Sequence, residues 1–198
     1  MRNKIDYGID LGTTNSAIAR MENGTPIIKK SDTLKDTVPS CVHFNKKQDI
    51  LVGDTAFNVM KNDNARALKT LEKGKTNSFI EFKRTMGTTH TYECSNMNKE
   101  FSSEELSAEV LKKLKSFIQD ENISSIVITV PAKFLNPQNE ATMRAAKLAG
   151  FKHVELLQEP VAAATAYGLG SKSKDGFWLV FDFGGGTFDA AILKSDEG

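Results

Sequence analysis

Residues 5–21 read Ile5-Asp6-Tyr7-Gly8-Ile9-Asp10-Leu11-Gly12-Thr13-Thr14-Asn15-Ser16-Ala17-Ile18-Ala19-Arg20-Met21. Apolar residues recur on both sides of a Gly-Thr-Thr-Asn turn, which predicts two short strands, Ile5 to Asp10 and Ser16 to Met21. Asn23-Gly24 is a strong turn dipeptide and leads into a third strand near Pro26 to Lys29, so the chain opens as a β-meander. Further on, Ile126 to Val130 is a β-branched run suited to a strand buried on both faces, and Pro131 ends it. Val154 to Leu157 gives another strand, and Phe177 to Phe181 and Thr187 to Leu193 a last pair around Gly184-Gly185-Gly186.

Helices are expected between these strands. Ser102-x-x-Glu105 is a capping box, and Leu106, Val110, Leu111, Leu114, Phe117 and Ile118 then share one helical face as far as Asp120. Asn136 as N-cap with Pro137 behind it opens a second helix that closes at Gly150, and Pro160 to Leu169 reads as an alanine-rich third. Ala162, Ala163, Ala164 and Ala166 there allow close packing. Between Val38 and Asn98 the pattern loosens into short strands (Val42 to Phe44, Ile50 to Val52) and short helices (Thr55 to Met60, Ser78 to Met86), as in an inserted subdomain. A meander joined to strand–helix alternation implies an α/β fold with a mixed sheet covered by helices.

The 198 residues suffice for a substantial core, and 39% apolar with 26% charged residues excludes a disordered or fibrous chain. Lys and Arg number 26 against 25 Asp and Glu, and they are dispersed, so nothing marks a nucleic-acid or anionic-membrane partner. Cys41 and Cys94 lie far apart and form no metal-ligand spacing with His43, His90 or His153. The start of the chain lacks a signal-length apolar stretch, and no run of about 18 apolar residues follows, so the expected compartment is the cytoplasm.

The sharpest internal signal is a repeated turn. Asp10-Leu-Gly12-Thr13-Thr14 and Asp182-Phe-Gly184-Gly185-Gly186-Thr187 each place a carboxylate at a strand end and glycine just after it. Glycine lets main-chain N–H groups approach an anion, and threonine hydroxyls add donors, so both turns suit phosphate. A bare carboxylate beside phosphate is repulsive, which implies a hard cation such as Mg²⁺ between them. Asp182-Phe183-Gly184 also spells a protein-kinase signature, but no His-Arg-Asp loop accompanies it. Gly168 to Ser173 misses the P-loop spacing and follows a helix instead of preceding one. Glu159 falls at the carboxyl end of a strand, where α/β folds bind ligands; by position alone the simpler reading is a helix-terminus charge interacting with the macrodipole. Lys83, in a Lys-Arg pair, is by itself indistinguishable from a solvated surface lysine.

At Gly8 to Ser16, Glu159 to Leu169 and Asp182 to Asp189 the chain resembles the nucleotide-binding domain of DnaK-type heat-shock chaperones, and Lys83 to Gly87 and Val130 to Ala132 match further segments of that family. The resemblance implies the actin-like, ribonuclease-H-like ATPase fold, in which two lobes close over Mg-ATP. On that basis residues 1–37 and 99–170 are the core of lobe I, 38–98 its inserted subdomain, and 171–198 the loop and first hairpin of lobe II. It further implies that Gly12, Thr13, Thr14, Gly184, Gly185, Gly186 and Thr187 surround the phosphates of ATP or ADP, and that Asp10, Glu159 and Asp182 hold hydrated magnesium. Lys83 would orient the attacking water, and Asp10 and Asp189 would help bind K⁺. The implied partners of the complete protein are unfolded peptide clients, a J-domain co-chaperone and a nucleotide-exchange factor.

The family usually carries arginine where Asn139 stands and an aromatic where Lys133 stands; Gln158, Val161 and Phe183 also depart, conservatively. The sequence stops at Gly198, so most of lobe II, the linker and the peptide-binding domain are expected outside it, and this piece alone is expected to bind ATP feebly and turn over little. The last hairpin, with Phe177, Trp178, Phe181 and Phe188, is expected to expose apolar surface and so to pack opportunistically, associate with a second molecule or be poorly ordered. Two other readings remain: a sugar kinase of the same superfold, against which Glu159-Pro-Val-Ala-Ala-Ala speaks, and a non-catalytic actin-like scaffold.

Overall fold

The computed structural model describes residues 5–70, 77–168, 176–185 and 187–195. Expectations that fall on Gly186, on the loop 169–175 and on the last three residues lie outside them. The predicted meander is present as β1 (Tyr7–Leu11), β2 (Asn15–Glu22) and β3 (Thr25–Ile28). Asn23 at φ 50° and Gly24 at φ 82° make the two-residue turn between β2 and β3, a backbone shape this dipeptide tolerates.

The chain continues through β4 (Val38–Pro39), β5 (Val42–Phe44), β6 (Ile50–Val52), α1 (Asp54–Thr70) and β7 (Ser78–Phe79). Next come a 3₁₀ turn at Phe82–Thr85 and the hairpin of β8 (Thr91–Cys94) and β9 (Lys99–Ser102). The helix expected over Ser78 to Met86 is therefore a strand followed by one tight turn. Phe79, Phe82 and Met86 are all buried, at a spacing of three and four that imitates a helical face. The helix expected over Thr55 to Met60 runs on as α1. The β8–β9 hairpin had no signal in the sequence, because Tyr92, Cys94 and Phe101 are its only strongly apolar residues.

Ser102 caps α2 (Ser103–Lys115) as the sequence requires: its side chain accepts from Glu105 N–H, and the Glu105 carboxylate accepts from Ser102 N–H. The helix stops five residues short of Asp120. Phe117 and Ile118 donate to Leu114 and Lys115 carbonyls three residues back, so the apolar face continues through a 3₁₀-type ending. β10 (Ser125–Val130) precedes α3 (Asn136–Leu148), whose N-cap is Leu135 in place of the expected Asn136; Leu135 N–H donates to Gln138 Oε1, which is half a capping box. β11 (His153–Gln158), α4 (Glu159–Ala166), β12 (Gly176–Phe183) and β13 (Phe188–Ser195) complete the order.

The central sheet is mixed, in the order β11-β10-β1-β2-β3, with β4 pairing to β2. β1 runs parallel to β10 and β10 to β11, while β2 is antiparallel to β1 and β3. Tyr7, Ile9, Leu11, Ile18, Ile126, Ile128 and Val130 point to one face and build the core with Leu106, Val110, Leu111 and Leu114 of α2 and Ala145 and Ala146 of α3. The sequence predicts β10 buried on both faces, yet only its even-numbered residues are fully buried; Val127 and Thr129, on the other face, are half-buried. α4 lies on that second side against β10, β11 and the β12–β13 hairpin. The hairpin exposes Phe177 (76%) and Phe183 (79%), and the Phe181 and Phe183 rings lie 6.1 and 4.6 Å from that of Phe188 between centroids.

Candidate functional site

Asp10 sits on the cleft side of β1 because its neighbours in the strand, Ile9 and Leu11, are both committed to the core. Its Oδ1 accepts the Thr129 hydroxyl at 3.0 Å, from the β10 position that faces the same way. Immediately after β1 the chain turns through Gly12. A Cβ there would lie 2.0 Å from the Asn15 carbonyl oxygen, so only glycine fits this turn.

Three hydroxyl contacts fix the turn from below. Gly12 N–H donates to Ser16 Oγ at 3.1 Å, Ser16 and Ser40 hydroxyls share a hydrogen bond at 2.9 Å, and Ser40 Oγ donates to Gly12 O at 2.7 Å. Ser40 N–H also donates to Thr14 O at 2.8 Å. Both serines are almost fully buried. The sequence reading did not single them out. A signal existed for Ser16, a polar residue at the position of β2 that shares the core face with Ile18; Ser40 had none.

The second turn meets the first directly. Gly184 N–H donates to Thr187 O at 2.9 Å, and a Cβ on Gly185 would fall 2.9–3.1 Å from the Thr14 side chain. The two repeated motifs thus face each other across one cleft of about 670 Å³. Asp10, Gly12, Thr13, Thr14, Lys83, Glu159, Asp182, Gly184, Gly185, Thr187 and Asp189 all line it, so every described residue expected at the site is there.

Lys83 is the most informative of them. The 3₁₀ turn buries it, and its Nζ donates to Glu159 Oε1 at 2.7 Å while lying 5.7 Å from the centre of the Phe134 ring. Gly87, at φ 73°, lets the following chain press against the backbone of Pro137, where a Cβ would be only 2.7 Å from the carbonyl. Thr85 Oγ1 bonds Tyr92 OH at 2.8 Å and Ser103 Oγ at 2.6 Å, which holds the turn against the hairpin and α2. A lysine so placed is no solvated surface residue. Phe134, Thr129 and Tyr92 were not anticipated, since each takes its role from a tertiary neighbour.

The electrostatics are acidic. Burial pushes the Glu159 carboxyl above its ordinary value; Lys83 pulls it back, and Asp10 and Asp182 raise it further. Four carboxylates line the cleft with Lys83, Arg84 and Lys133. Lys133 Nζ lies 2.6 Å from Asp189 Oδ1, and Arg84 Nε lies 3.4 Å from Glu81. Among the described residues no group of three or more His, Cys, Asp or Glu could hold a metal ion. Asp10, Glu159 and Asp182 line the cleft together, and oxygen donors of this kind suit a hydrated hard cation. No helix among the described residues is long and apolar enough to cross a membrane.

A mixed sheet with two glycine turns facing across an acidic cleft makes this an α/β protein, and the family match gives its fold as the actin-like ATPase fold. A model of the Hsp70 protein family matches residues 6–198. The chaperone protein DnaK of Mycoplasmopsis agalactiae is 40% identical over 201 residues, covering 100% of this chain and 31% of the relative. That of Thalassiosira pseudonana is 39% identical over 99% of the chain and 35% of the relative, and that of Prochlorococcus marinus 42% over 96% and 32%. The chain belongs to the Hsp70 family and spans about a third of the length of the curated relatives it matches.

Proposed function

We propose that this chain is the first part of the nucleotide-binding domain of a DnaK-type chaperone, which binds and hydrolyses Mg-ATP to drive a cycle of peptide binding. The observation that carries the reading is the meeting of the two glycine turns, Gly185 against Thr14, beside the buried Lys83–Glu159 pair. Solvated hairpins would neither face one another nor bury an ion pair between them.

The turns at Gly12 to Thr14 and Gly184 to Thr187 bind the phosphates, with the Thr13, Thr14 and Thr187 hydroxyls as donors. Lys83 has three N–H donors and spends one on Glu159, which leaves two for a terminal phosphate oxygen and the attacking water. Hydrated magnesium, held through Asp10, Glu159 and Asp182, would supply charge neutralisation for the phosphates. Phe134 and Lys83 line one wall of the cleft, and the reaction proceeds mainly by positioning and electrostatics. In this reading residues 1–37 and 99–170 form the core of one lobe, 38–98 an insertion in it, and the hairpin the edge of the second lobe. The longer protein would add the rest of that lobe and a peptide-binding domain, act with a J-domain partner and an exchange factor, and work in the cytoplasm. The isolated hairpin face would promote self-association, read as a concentration-dependent mass in light scattering.

The test is Mg-ATP titration and phosphate release by a chain extended through the rest of the nucleotide-binding region, beside its Lys83→Ala variant. Binding by both with turnover lost only in the variant is expected. Absence of binding refutes the reading, and phosphate release that requires an added sugar would favour a sugar kinase.

A further inference from the structure

The hairpin register sets Asp182 directly opposite Asp189. Directly opposed side chains share a face of the ladder, and two carboxylates so placed repel. Both line the cleft together with Asp10 and Glu159, and Lys83 is already engaged by Glu159 at 2.7 Å. The cation that answers the Asp182–Asp189 pair is Lys133, whose Nζ is 2.6 Å from Asp189 Oδ1. Lys133 lies between β10 and α3, so this contact joins the sheet to the hairpin across the cleft.

The resemblance assigns K⁺ to Asp10 and Asp189, and at Asp189 a cation of the chain itself already stands. Asp189 Oδ1 already holds the Lys133 ammonium group, where a K⁺ ion would otherwise sit. We propose that Lys133 is a built-in monovalent cation of this cleft: its ammonium takes the place of a metal ion at Asp189 and ties the hairpin to the sheet. An ammonium carries the same single charge and presents three donors, while its four-carbon stem reaches across the gap. The Lys133 side chain is 64% exposed, so the pair adds little to global stability and acts by neutralising one of two facing carboxylates. A chain with an apolar residue at this position has lost that charge and must recruit an ion from solution.

The test needs no nucleotide. Thermal unfolding of the 198-residue chain is followed in KCl, NaCl and choline chloride at equal ionic strength, which holds screening constant, and the emission of its single tryptophan, Trp178, reports the hairpin. The wild-type chain and Lys133→Arg are expected to respond alike in all three salts. Lys133→Met is expected to show a saturable K⁺-specific rise in melting temperature of about 2 °C or more, with a matching change in Trp178 emission. A K⁺-specific response in the wild-type chain overturns the proposal, and so does a Lys133→Met chain indifferent to K⁺. Since ATP is absent, either result stands apart from the nucleotide reading of the same cleft.

Discussion

Replacing Lys83 by methionine preserves the length of the side chain and leaves the Glu159 carboxylate buried without its partner. At 2.7 Å and an effective dielectric of 20 the Coulomb attraction is about 6 kcal/mol, of which desolvation of the two ions takes back a large share. Removing one member of a buried pair costs about 3–5 kcal/mol; with 17% of the Glu159 side chain exposed, the low end of about 3 kcal/mol applies at pH 7.5. The cost depends on pH. Burial, Asp10 and Asp182 raise the Glu159 pKa and Lys83 lowers it, so the variant's folded state holds a proton more readily than the unfolded chain, whose carboxyl titrates near 4.5. A carboxyl with a raised folded pKa contributes stability below its unfolded value, and that contribution fades as pH rises through the folded value. The deficit of Lys83→Met against the wild-type chain should therefore be smaller at pH 5 than at pH 7.5. Urea unfolding followed by circular dichroism reads it as a midpoint lowered by about 1.5 M at pH 7.5, taking a slope near 2 kcal/mol per molar. Adding Glu159→Gln should restore about half of the loss. Equal deficits at the two pH values, or no recovery in the double variant, would refute the reasoning.

Gly12→Ala forces a Cβ to within 2.0 Å of the Asn15 carbonyl, so in the extended chain Mg-ATP affinity should fall more than about tenfold by calorimetry. Far-UV circular dichroism should hardly change. Gly87→Ala combines a left-handed φ of 73° with overlap against the Pro137 backbone, and urea unfolding should show a loss of about 2–4 kcal/mol. Burial pushes the Cys41 thiol up to about 12, so a disulfide reagent at pH 8 should label it only as fast as the chain unfolds. Rapid labelling in native buffer would show that the segment around β5 opens on its own.

Wherever a local rule and the tertiary fold agree, the sequence was enough. The Asn23-Gly24 turn, the Ser102–Glu105 capping box and the alternation of β1 and β2 appear as expected because each is decided within a few residues. The stretch Ser78 to Met86 misled because Phe79, Phe82 and Met86 are buried at a helical spacing although Phe79 lies in a strand and Phe82 in a 3₁₀ turn. At the cleft, the repeated Asp-x-Gly turns were legible by chemistry alone, and Lys83 only by family resemblance, since its burial depends on residues as distant as Phe134 and Glu159. The supporting contacts of Ser40, Thr129 and Tyr92 were not legible. A lone hydroxyl acquires meaning only once the sheet has chosen its partner.

The hydrogen bonds beneath Gly12 have a mechanical side. Ser16 and Ser40 bolt the first turn to the core sheet through two buried hydroxyls, whereas the second turn rides on a hairpin that, among the described residues, packs on α4, pairs with Lys133 and brings Gly185 against Thr14. The cleft is a vice with one fixed jaw. Any change in its width has to be taken up on the hairpin side, so whatever bridges the jaws draws the arm toward the anvil and passes its motion on through that arm.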